Sequence, residues 1–339
     1  MVKNLLNIPP RLEIARTKTP LHKLERLSHQ LGVEIYLKRD DLTGSELSGN
    51  KVRKLEFLLA DAKAKGADTV ITCGGAQSNH CRATALAAAR CGLKSVLLLR
   101  TADPAHPPEV EGNILLDKMA GAEIVWITPE EYANRFDRFE QENSRLQQLG
   151  RTPYIIPEGG SNHIGSWGYV LAMDEITTDM KNLKIDENQD TTVLSATGSG
   201  GTTAGLLLGK KMLDVGVNVV GVNVCDNEEY FVNEIYRICE KFCLTYQVDI
   251  SVAKDDICIV DGYVGDGYAL SRKEELQAIY DLAKLEGIVL DPVYTGKAYY
   301  AMISEISRNK QAFGKRVIFV HTGGLFGLFP VADQLTPLF

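Results

Sequence analysis

The sequence predicts an α/β protein built on two open, mostly parallel, twisted sheets that are covered by helices. Two observations support this prediction. Short apolar strands alternate with amphipathic helices along most of the 339 residues, and this alternation is typical of parallel sheets with helices on both faces. A chain of this length also suggests about two domains of roughly 150 residues each.

The first half of the chain shows the alternation most clearly. Residues 1–30 read as an irregular segment, because Pro9, Pro10 and Pro20 oppose a long helix. The strands that follow are predicted at 34–38, 69–73, 94–100, 123–127 and 154–156. The helices between them are predicted at 52–65, 78–90, 111–119 and 129–149.

The second half repeats the pattern less regularly. A helix is predicted after Trp167, followed by strands at 192–195 and 219–224, each with a helix after it. A glycine-containing stretch at 245–270, a helix at 272–285 and a strand at 316–321 complete the chain. No linker separates the halves, so the glycine-rich region 159–165 is our predicted crossover.

Composition excludes several classes of function. The net charge is −7 and no basic block occurs, so binding to nucleic acid or to an anionic membrane surface is poorly supported. The seven cysteines form no C-x-x-C pair, which favours small core residues in a reducing compartment over a metal site. The apolar runs are strand-sized, and the N-terminal one is too short for a signal peptide. We therefore expect a cytoplasmic protein with no metal and no membrane partner.

Lys51 is the first candidate for chemistry. Gly44, Ser48 and Gly49 precede it, and apolar residues at helical spacing follow it, which places the lysine at a loop-to-helix junction with Ser48 or Asn50 as N-cap. The positive end of a helix disfavours a nearby ammonium and helps to keep the amine neutral. A neutral amine can form a Schiff base with an aldehyde. The alternative is a solvated lysine in a first helical turn.

Glycines and hydroxyl residues cluster after four predicted strands, beginning at Gly74, Gly159, Gly198 and Gly323. Because ligands bind beyond the carboxyl ends of parallel strands, these clusters predict one shared cleft. The segment 198–202, Gly-Ser-Gly-Gly-Thr, follows a strand and opens a helix, a context that suits a single phosphate. It lacks the Lys-Ser/Thr of a nucleoside-triphosphate loop and matches a dinucleotide fingerprint poorly. A purely structural glycine turn is the alternative.

An imine-forming lysine and a cradle for one phosphate together indicate pyridoxal 5'-phosphate. In this hypothesis the phosphate anchors the cofactor at 198–202 and the aldehyde accepts Lys51. An aldolase that forms a Schiff base without a cofactor would need the loop only for a substrate phosphate.

Six segments in order resemble one family of pyridoxal phosphate enzymes, which joins D-cysteine desulfhydrase with 1-aminocyclopropane-1-carboxylate deaminase. They are KRDDLTG at 38–44, SGNKVRKLEF at 48–57, QSNHCRATA at 77–85, GSGGT at 198–202, DPVYTGKA at 291–298 and HTGG at 321–324. The resemblance implies a tryptophan-synthase-β-like fold of type II with the cofactor in the cleft between two domains. We expect a smaller domain at 52–165 and a larger, cofactor-binding domain formed by 1–51 and 166–339.

The resemblance also implies roles for individual residues. Lys51 would bind the cofactor aldehyde and remove the α-proton, and Asn79 would contact the phenolic oxygen of the cofactor. The phosphate would lie against Gly198, Ser199, Gly200, Gly201 and Thr202. Catalysis would involve Ser78, Tyr268 and Tyr294, whereas Ser78, Asn79, His80 and Thr295 would bind the substrate. The resemblance suggests a homodimer and a small amino-acid substrate.

Two positions separate the branches of this family. The deaminase branch carries Glu after the tyrosine and Leu after the histidine-like position, where this chain has Thr295 and Thr322. A neutral hydroxyl of Thr322 against the pyridine nitrogen makes the cofactor a weaker electron sink, which suffices for a thiolate leaving group. We therefore expect α,β-elimination of D-cysteine to pyruvate, hydrogen sulfide and ammonia.

Three alternatives stay open. An L-cysteate sulfo-lyase would perform the same elimination with sulfite leaving, and basic side chains near the substrate would favour it. A 1-aminocyclopropane-1-carboxylate deaminase is the second alternative. The third is a catalytically silent protein that binds an amino acid or pyridoxal phosphate, against which the intact Lys51 argues.

Overall fold

A computed structural model describes residues 8–185 and 190–339. Residues 1–7 of the segment that was predicted to be irregular lie outside the described ranges. The strands in the described part are β1 Leu21–Lys23, β2 Glu34–Lys38, β3 Thr69–Gly75, β4 Lys94–Arg100, β5 Glu123–Ile127, β6 Pro153–Ile155, β7 Thr191–Thr197, β8 Asn218–Asn223, β9 Cys258–Val260 and β10 Arg316–Val320. The predicted strands are therefore correct to within a few residues at their ends, whereas β1 and β9 were not predicted.

Helices alternate with these strands, as predicted. The helices are α1 Glu25–Leu31, α2 Asn50–Ala64, α3 Asn79–Arg90, α4 Gly112–Met119, α5 Pro129–Ala133, α6 Arg135–Gln148, α7 Trp167–Asn182, α8 Gly201–Leu213, α9 Glu228–Tyr246, α10 Lys273–Glu286, α11 Thr295–Arg308 and α12 Ala332–Leu335. Short 3-10 turns occur among them, including one at Glu158–Gly160.

The strands form two sheets. The six-stranded sheet has the order β1-β2-β10-β7-β8-β9, and the four-stranded sheet has the order β5-β4-β3-β6. Only β1 pairs in the antiparallel sense among the described strands. All strands of the smaller sheet fall within 52–165 and all others fall outside it. The precise limits of the two domains stay a prediction.

Three details of the prediction are wrong. The region before residue 30 contains β1 and α1, and the prolines there precede rather than interrupt that helix. The helix predicted at 129–149 is broken at Asn134, whose ψ of 34° leaves the helical range. Finally, α11 was not predicted. Pro292, just before it, reads as a turn residue, and the capping carboxylate belongs to Asp291, four residues before the helix begins at Thr295.

Buried apolar side chains hold the helices on the sheets. Strand β3 is buried along its whole length, as expected for a central parallel strand covered on both faces. Trp167 is fully buried against Phe57 and Phe242. Because α2 follows a loop of the larger sheet and packs against α3 of the smaller one, its first turn is held between the two sheets.

Candidate active site

The predicted cleft is a pocket at the carboxyl ends of β7 and β10, where the first turns of α2 and α3 also point. Its lining residues are Asn50, Lys51, Asn79, Ala196, Thr197, Gly198, Ser199, Gly200, Thr202, Thr203, Tyr294 and Thr322. The structure therefore brings together Lys51, Asn79, Tyr294, Thr322 and most of the predicted phosphate loop. Gly201 lies directly behind this lining as the first residue of α8.

Lys51 lies in the first turn of α2, close to the position predicted for it. The N-cap is Gly49, without a side-chain cap, so the predicted capping by Ser48 or Asn50 is wrong. Gly49 has a φ of 95°, and a Cβ there would meet the Thr322 carbonyl oxygen at 2.7 Å. A glycine is needed because the two loops touch through their backbones, where the Asn50 N–H donates to the same oxygen over 3.1 Å.

No carboxylate of residues 8–185 and 190–339 lies within ion-pair distance of the Lys51 amine. Its Nζ lies 3.4 Å from the carbonyl oxygen of Gly159. Burial lowers the pKa of Lys51 to about 8, although the negative charge of Glu158 opposes that change. An amine with such a pKa is neutral in a substantial fraction of molecules near neutral pH, as a nucleophile or a base must be.

Ser161 supports the predicted phosphate loop, residues 198–202, through two contacts. Ser161 Oγ lies 2.8 Å from Ser199 Oγ and accepts the Gly201 N–H over 3.2 Å. The hydroxyl of Thr202 accepts a hydrogen bond from the Asn50 amide over 3.1 Å. Gly200, with a φ of 77°, is the N-cap of α8. The loop therefore presents the N-terminus of a 13-residue helix to the pocket, which favours an anion.

Sequence reasoning missed the residues that connect the lysine to the loop. Lys54, one turn after Lys51, is fully buried and donates to the Gly159 carbonyl and to Ser161 Oγ, both over 3.2 Å. Burial and the adjacent Lys51 charge lower its pKa well below the usual value. The signals were the i, i+3 spacing of the lysines and the Gly-Gly-Ser after β6, but their pairing depends on the tertiary fold.

Two tyrosines border the pocket. The hydroxyls of Tyr268 and Tyr294 lie 2.7 Å apart, and Tyr294 is the member that lines the pocket. Burial raises the pKa of both hydroxyls, so each is protonated at neutral pH. The pair can relay a proton but does not act as a pair of phenolates.

Three predicted substrate residues lie outside the pocket lining. Ser78 caps α3 and accepts the Cys81 N–H over 3.2 Å. The His80 imidazole lies 2.8 Å from Thr72 Oγ1, and burial lowers its pKa well below the usual value. Thr295 is fully buried and donates to the Asp291 carboxylate over 2.6 Å. His80 and Thr295 are therefore engaged in hydrogen bonds within the protein rather than facing the pocket. Their partners, Thr72 on β3 and Asp291 in the loop before α11, could not be recognised from the sequence.

The pocket fits pyridoxal phosphate on a geometric test. A Cβ at Gly159 would meet Ser199 Oγ at 2.2 Å and Lys51 Nζ at 3.1 Å, so the amine and the phosphate loop border one small space that any side chain would fill. Lys51 supplies the amine, the first turn of α8 faces the phosphate, and Asn79 and Thr322 lie within the same lining. A cofactor with an aldehyde and one phosphate matches these donors.

Other kinds of site find no support in the described ranges. No group of three His, Cys, Asp or Glu side chains there converges as a metal site would require. The cysteines within those ranges are all free thiols. Among the helices of 8–185 and 190–339, none combines the length and the apolar character needed to cross a membrane.

Comparisons with known proteins find relatives that match nearly the whole chain. A Thermotoga maritima protein provisionally named 1-aminocyclopropane-1-carboxylate deaminase is 45% identical over 96% of this chain and 99% of its own length. The D-cysteine desulfhydrase of Yersinia enterocolitica is 39% identical over 96% and 97%. A crystal structure of an ACC deaminase homologue superposes with a TM-score of 0.88 at 38% identity, covering 98% of this chain and 97% of that one.

The family follows from a match over most of the chain. Residues 12–323 match the family model described as pyridoxal-phosphate dependent enzyme. This match and the relatives confirm the predicted cofactor and the type II fold. The chain belongs to the family of pyridoxal-phosphate dependent enzymes.

Proposed function

We propose that this enzyme catalyses the α,β-elimination of D-cysteine, with water, to pyruvate, hydrogen sulfide and ammonia. One observation carries the proposal: among the described residues, the pocket lining contains a lysine and a neutral threonine but no carboxylate. Relatives named D-cysteine desulfhydrase, 38–39% identical to this chain, add support.

The cofactor supplies, when bound, an electron sink for the carbanion left by removal of the α-proton. Lys51 Nζ accepts that proton, since its lowered pKa makes the amine available as a base. Ser199, Gly200, Gly201 and Thr202 would hold the phosphate at the start of α8, which would fix the cofactor relative to Lys51.

Thr322 sets how strong the electron sink is. With the cofactor bound, the hydroxyl of Thr322, which lines the pocket, would meet the pyridine nitrogen and could not hold a proton there as a carboxylate does. This weaker arrangement suffices when the leaving group is a thiolate, because a thiol with a pKa of about 8.5 leaves readily. Opening a cyclopropane ring demands more from the cofactor.

The α3 side of the pocket suits the rest of the substrate. Asn79 is in the first turn of α3, and Ser78 is its N-cap, so a substrate carboxylate there meets the positive end of a helix. We assign the proton relay at the β-carbon to the hydroxyls of Tyr294 and Tyr268. A homodimer is part of this proposal on family likeness alone.

Deamination of 1-aminocyclopropane-1-carboxylate is the second candidate. It is favoured by the name of the Thermotoga maritima relative, which is 45% identical. Against it, the side chain at position 295 is a threonine that bonds to Asp291 rather than lining the pocket.

A substrate panel tests the proposal. The holoenzyme is assayed with D-cysteine, L-cysteine, L-cysteate and the cyclopropane amino acid, and pyruvate, ketobutyrate, sulfide and sulfite are measured. We expect equal amounts of pyruvate and sulfide from D-cysteine as the fastest reaction. Ketobutyrate as the dominant product, or no product from any substrate by cofactor-loaded protein, would contradict the proposal.

A further inference from the structure

Asn113 is a buried polar residue of the smaller domain whose side chain reaches a residue of the pocket lining. It is the second residue of α4 and is 0% exposed. Its Oδ1 is buried and has no hydrogen-bond partner in the described part of the chain. A buried amide with one unpaired group is costly, and a leucine of similar size would avoid that cost. The contacts of the other end of the amide therefore indicate what the residue does.

The amide nitrogen of Asn113 has two acceptors. Its Nδ2 donates to the backbone carbonyl of Gln77 over 2.9 Å and to Asn79 Oδ1 over 3.0 Å. A backbone carbonyl can only accept, so the nitrogen of Asn113, and not its oxygen, must face Gln77. The reverse orientation would place Asn113 Oδ1 against two acceptor oxygens. One fixed backbone group therefore sets the orientation of the Asn113 amide.

Gln77 and Gly112 hold Asn113 in this place. The Gln77 side chain accepts the Asn113 backbone N–H over 2.8 Å and donates from Nε2 to the Glu111 carbonyl over 3.2 Å. Gly112 has a φ of 52°, and a Cβ there would meet Gln77 Oε1 at 2.7 Å. A glycine at 112 therefore allows the start of α4 to lie directly against the turn before α3.

The orientation of Asn113 fixes that of Asn79. Because Asn79 Oδ1 accepts the hydrogen bond from Asn113, the Nδ2 end of the Asn79 amide points away from α4. That nitrogen lies beside Gly324, where a Cβ would meet it at 2.9 Å. Gly324 comes two residues after Thr322, which lines the pocket together with Asn79. The Asn79 side chain therefore offers an N–H group, rather than a carbonyl oxygen, to a molecule bound in the pocket.

We propose that Asn113 is a positioning residue that holds the Asn79 amide with its N–H groups toward the phenolic oxygen of the cofactor. An N–H donor stabilises negative charge on that oxygen. Without Asn113 the Asn79 amide is free to turn, and its oxygen then opposes the phenolic oxygen as a second acceptor. The inference rests on the proposed place of the cofactor against Asn79 and does not depend on which amino acid is the substrate.

Asn113→Leu, Asn79→Ala and the double variant test the inference in the holoenzyme without substrate. The visible absorbance of the bound cofactor is titrated with pH, and cofactor affinity is measured by equilibrium dialysis. Loss of an N–H donor to the phenolic oxygen raises the pH at which the chromophore loses its proton. We expect a rise of about one pH unit in Asn79→Ala and of about half a unit in Asn113→Leu. Cofactor affinity should weaken in the same order.

The decisive quantity is the effect of Asn113→Leu in the Asn79→Ala background. If Asn113 acts through Asn79, the double variant matches Asn79→Ala in both the absorbance titration and the affinity. Effects of equal size in the two backgrounds would show that Asn113 only supports the structure and would overturn the inference. So would an absorbance titration and an affinity that Asn113→Leu leaves unchanged. Thermal unfolding verifies that each variant is folded, and Asn113→Ala, which removes the same donor, replaces a leucine variant that does not fold.

Ile114→Ala is the matched control. Ile114 follows Asn113 in α4 and is also 0% exposed, so its truncation loosens the packing of the helix and leaves the Asn113 side chain in place. We expect the absorbance titration and the cofactor affinity of this variant to equal those of the wild type, although its thermal stability falls. Changes as large as those of Asn113→Leu would assign the effect to packing and contradict the inference.

The substrate panel separates this inference from the proposed reaction. If no substrate yields pyruvate but the effect of Asn113→Leu depends on Asn79, the proposed reaction fails and the role of Asn113 stands. If D-cysteine yields pyruvate and sulfide but the two variants act independently, the reaction stands and the role of Asn113 fails.

Discussion

The two faces of α2 differ in whether their buried cationic side chains have carboxylate partners. On one side, Arg53 is 1% exposed and contacts Asp40 and Glu175, with nitrogen–oxygen distances of 2.8 Å to each. Burial alone lowers the pKa of Arg53, but these carboxylates raise it well above the usual value. Lys38 joins the same network through Glu175 at 3.5 Å and also contacts Asp179 at 2.8 Å.

On the other side, the hydrogen-bond partners of Lys51 and Lys54 in the described part of the chain are neutral oxygens. Both amines point to the Gly159 carbonyl, and Lys54 also contacts Ser161. Their pKa values are lowered by burial, that of Lys51 to about 8. The two faces of α2 therefore have different roles. The ion pairs of Arg53 fix the helix between the sheets, whereas the amines of Lys51 and Lys54 have no counter-charge in the described ranges and remain available to a cofactor and its phosphate.

The largest effect is expected for Lys51→Ala. Without this amine the enzyme loses both the attachment of the cofactor aldehyde and the α-proton base, so pyruvate formation should fall by at least about 10²- to 10⁴-fold. The visible absorbance of the bound cofactor should change at the same time. Thermal unfolding should be close to that of the wild type, and retention of pyruvate formation would remove Lys51 from its proposed role.

Arg53→Met tests the paired side. It leaves the buried Asp40 without its main cation, which should lower the free energy of unfolding by about 3–5 kcal/mol. Urea unfolding followed by circular dichroism measures the change. In refolded holoenzyme the KM for D-cysteine should be unchanged, since Arg53 does not line the pocket. A loss below about 1 kcal/mol would mean that the network is not what holds α2.

The pH dependence of cofactor binding tests the unpaired side. Only the neutral Lys51 amine reacts with an aldehyde, and below its pKa of about 8 the neutral fraction falls about tenfold per pH unit. Association of pyridoxal phosphate with apoenzyme should therefore accelerate from pH 6 to about 8 and level off above it. Stopped-flow absorbance measures the rate. A rate still rising steeply at pH 10 would show an amine with an unshifted pKa.

Lys54→Met should have the smallest effect and is the matched counterpart of Arg53→Met. Lys54 has neutral hydrogen-bond partners, so its replacement leaves no buried carboxylate without a counter-charge. The free energy of unfolding should therefore change by less than about 1 kcal/mol. Cofactor affinity should weaken by about tenfold or more, because the support of Ser161 under the phosphate loop is lost. Equilibrium dialysis measures this affinity, and equal destabilisation by both methionines would remove the distinction between the two sides.

Local patterns were enough to predict eight of the ten strands in the described ranges and the polar ends that meet in the pocket. Lys51 and the loop 198–202 stand out because glycines, a strand and a helix start occur together in sequence. The positions of Lys54, His80 and Thr295 could not be predicted in this way. Their partners are Ser161, Thr72 and Asp291, and in the first case the two residues lie 107 positions apart.

Borohydride reduction of the holoenzyme, followed by peptide mass analysis, tests the central claim most directly, because two buried lysines lie one turn apart on α2. The account predicts that the added cofactor mass resides on Lys51 alone and that Lys54 stays unmodified. Reduced cofactor on Lys54, or the absence of a reducible chromophore in cofactor-treated protein, would contradict it.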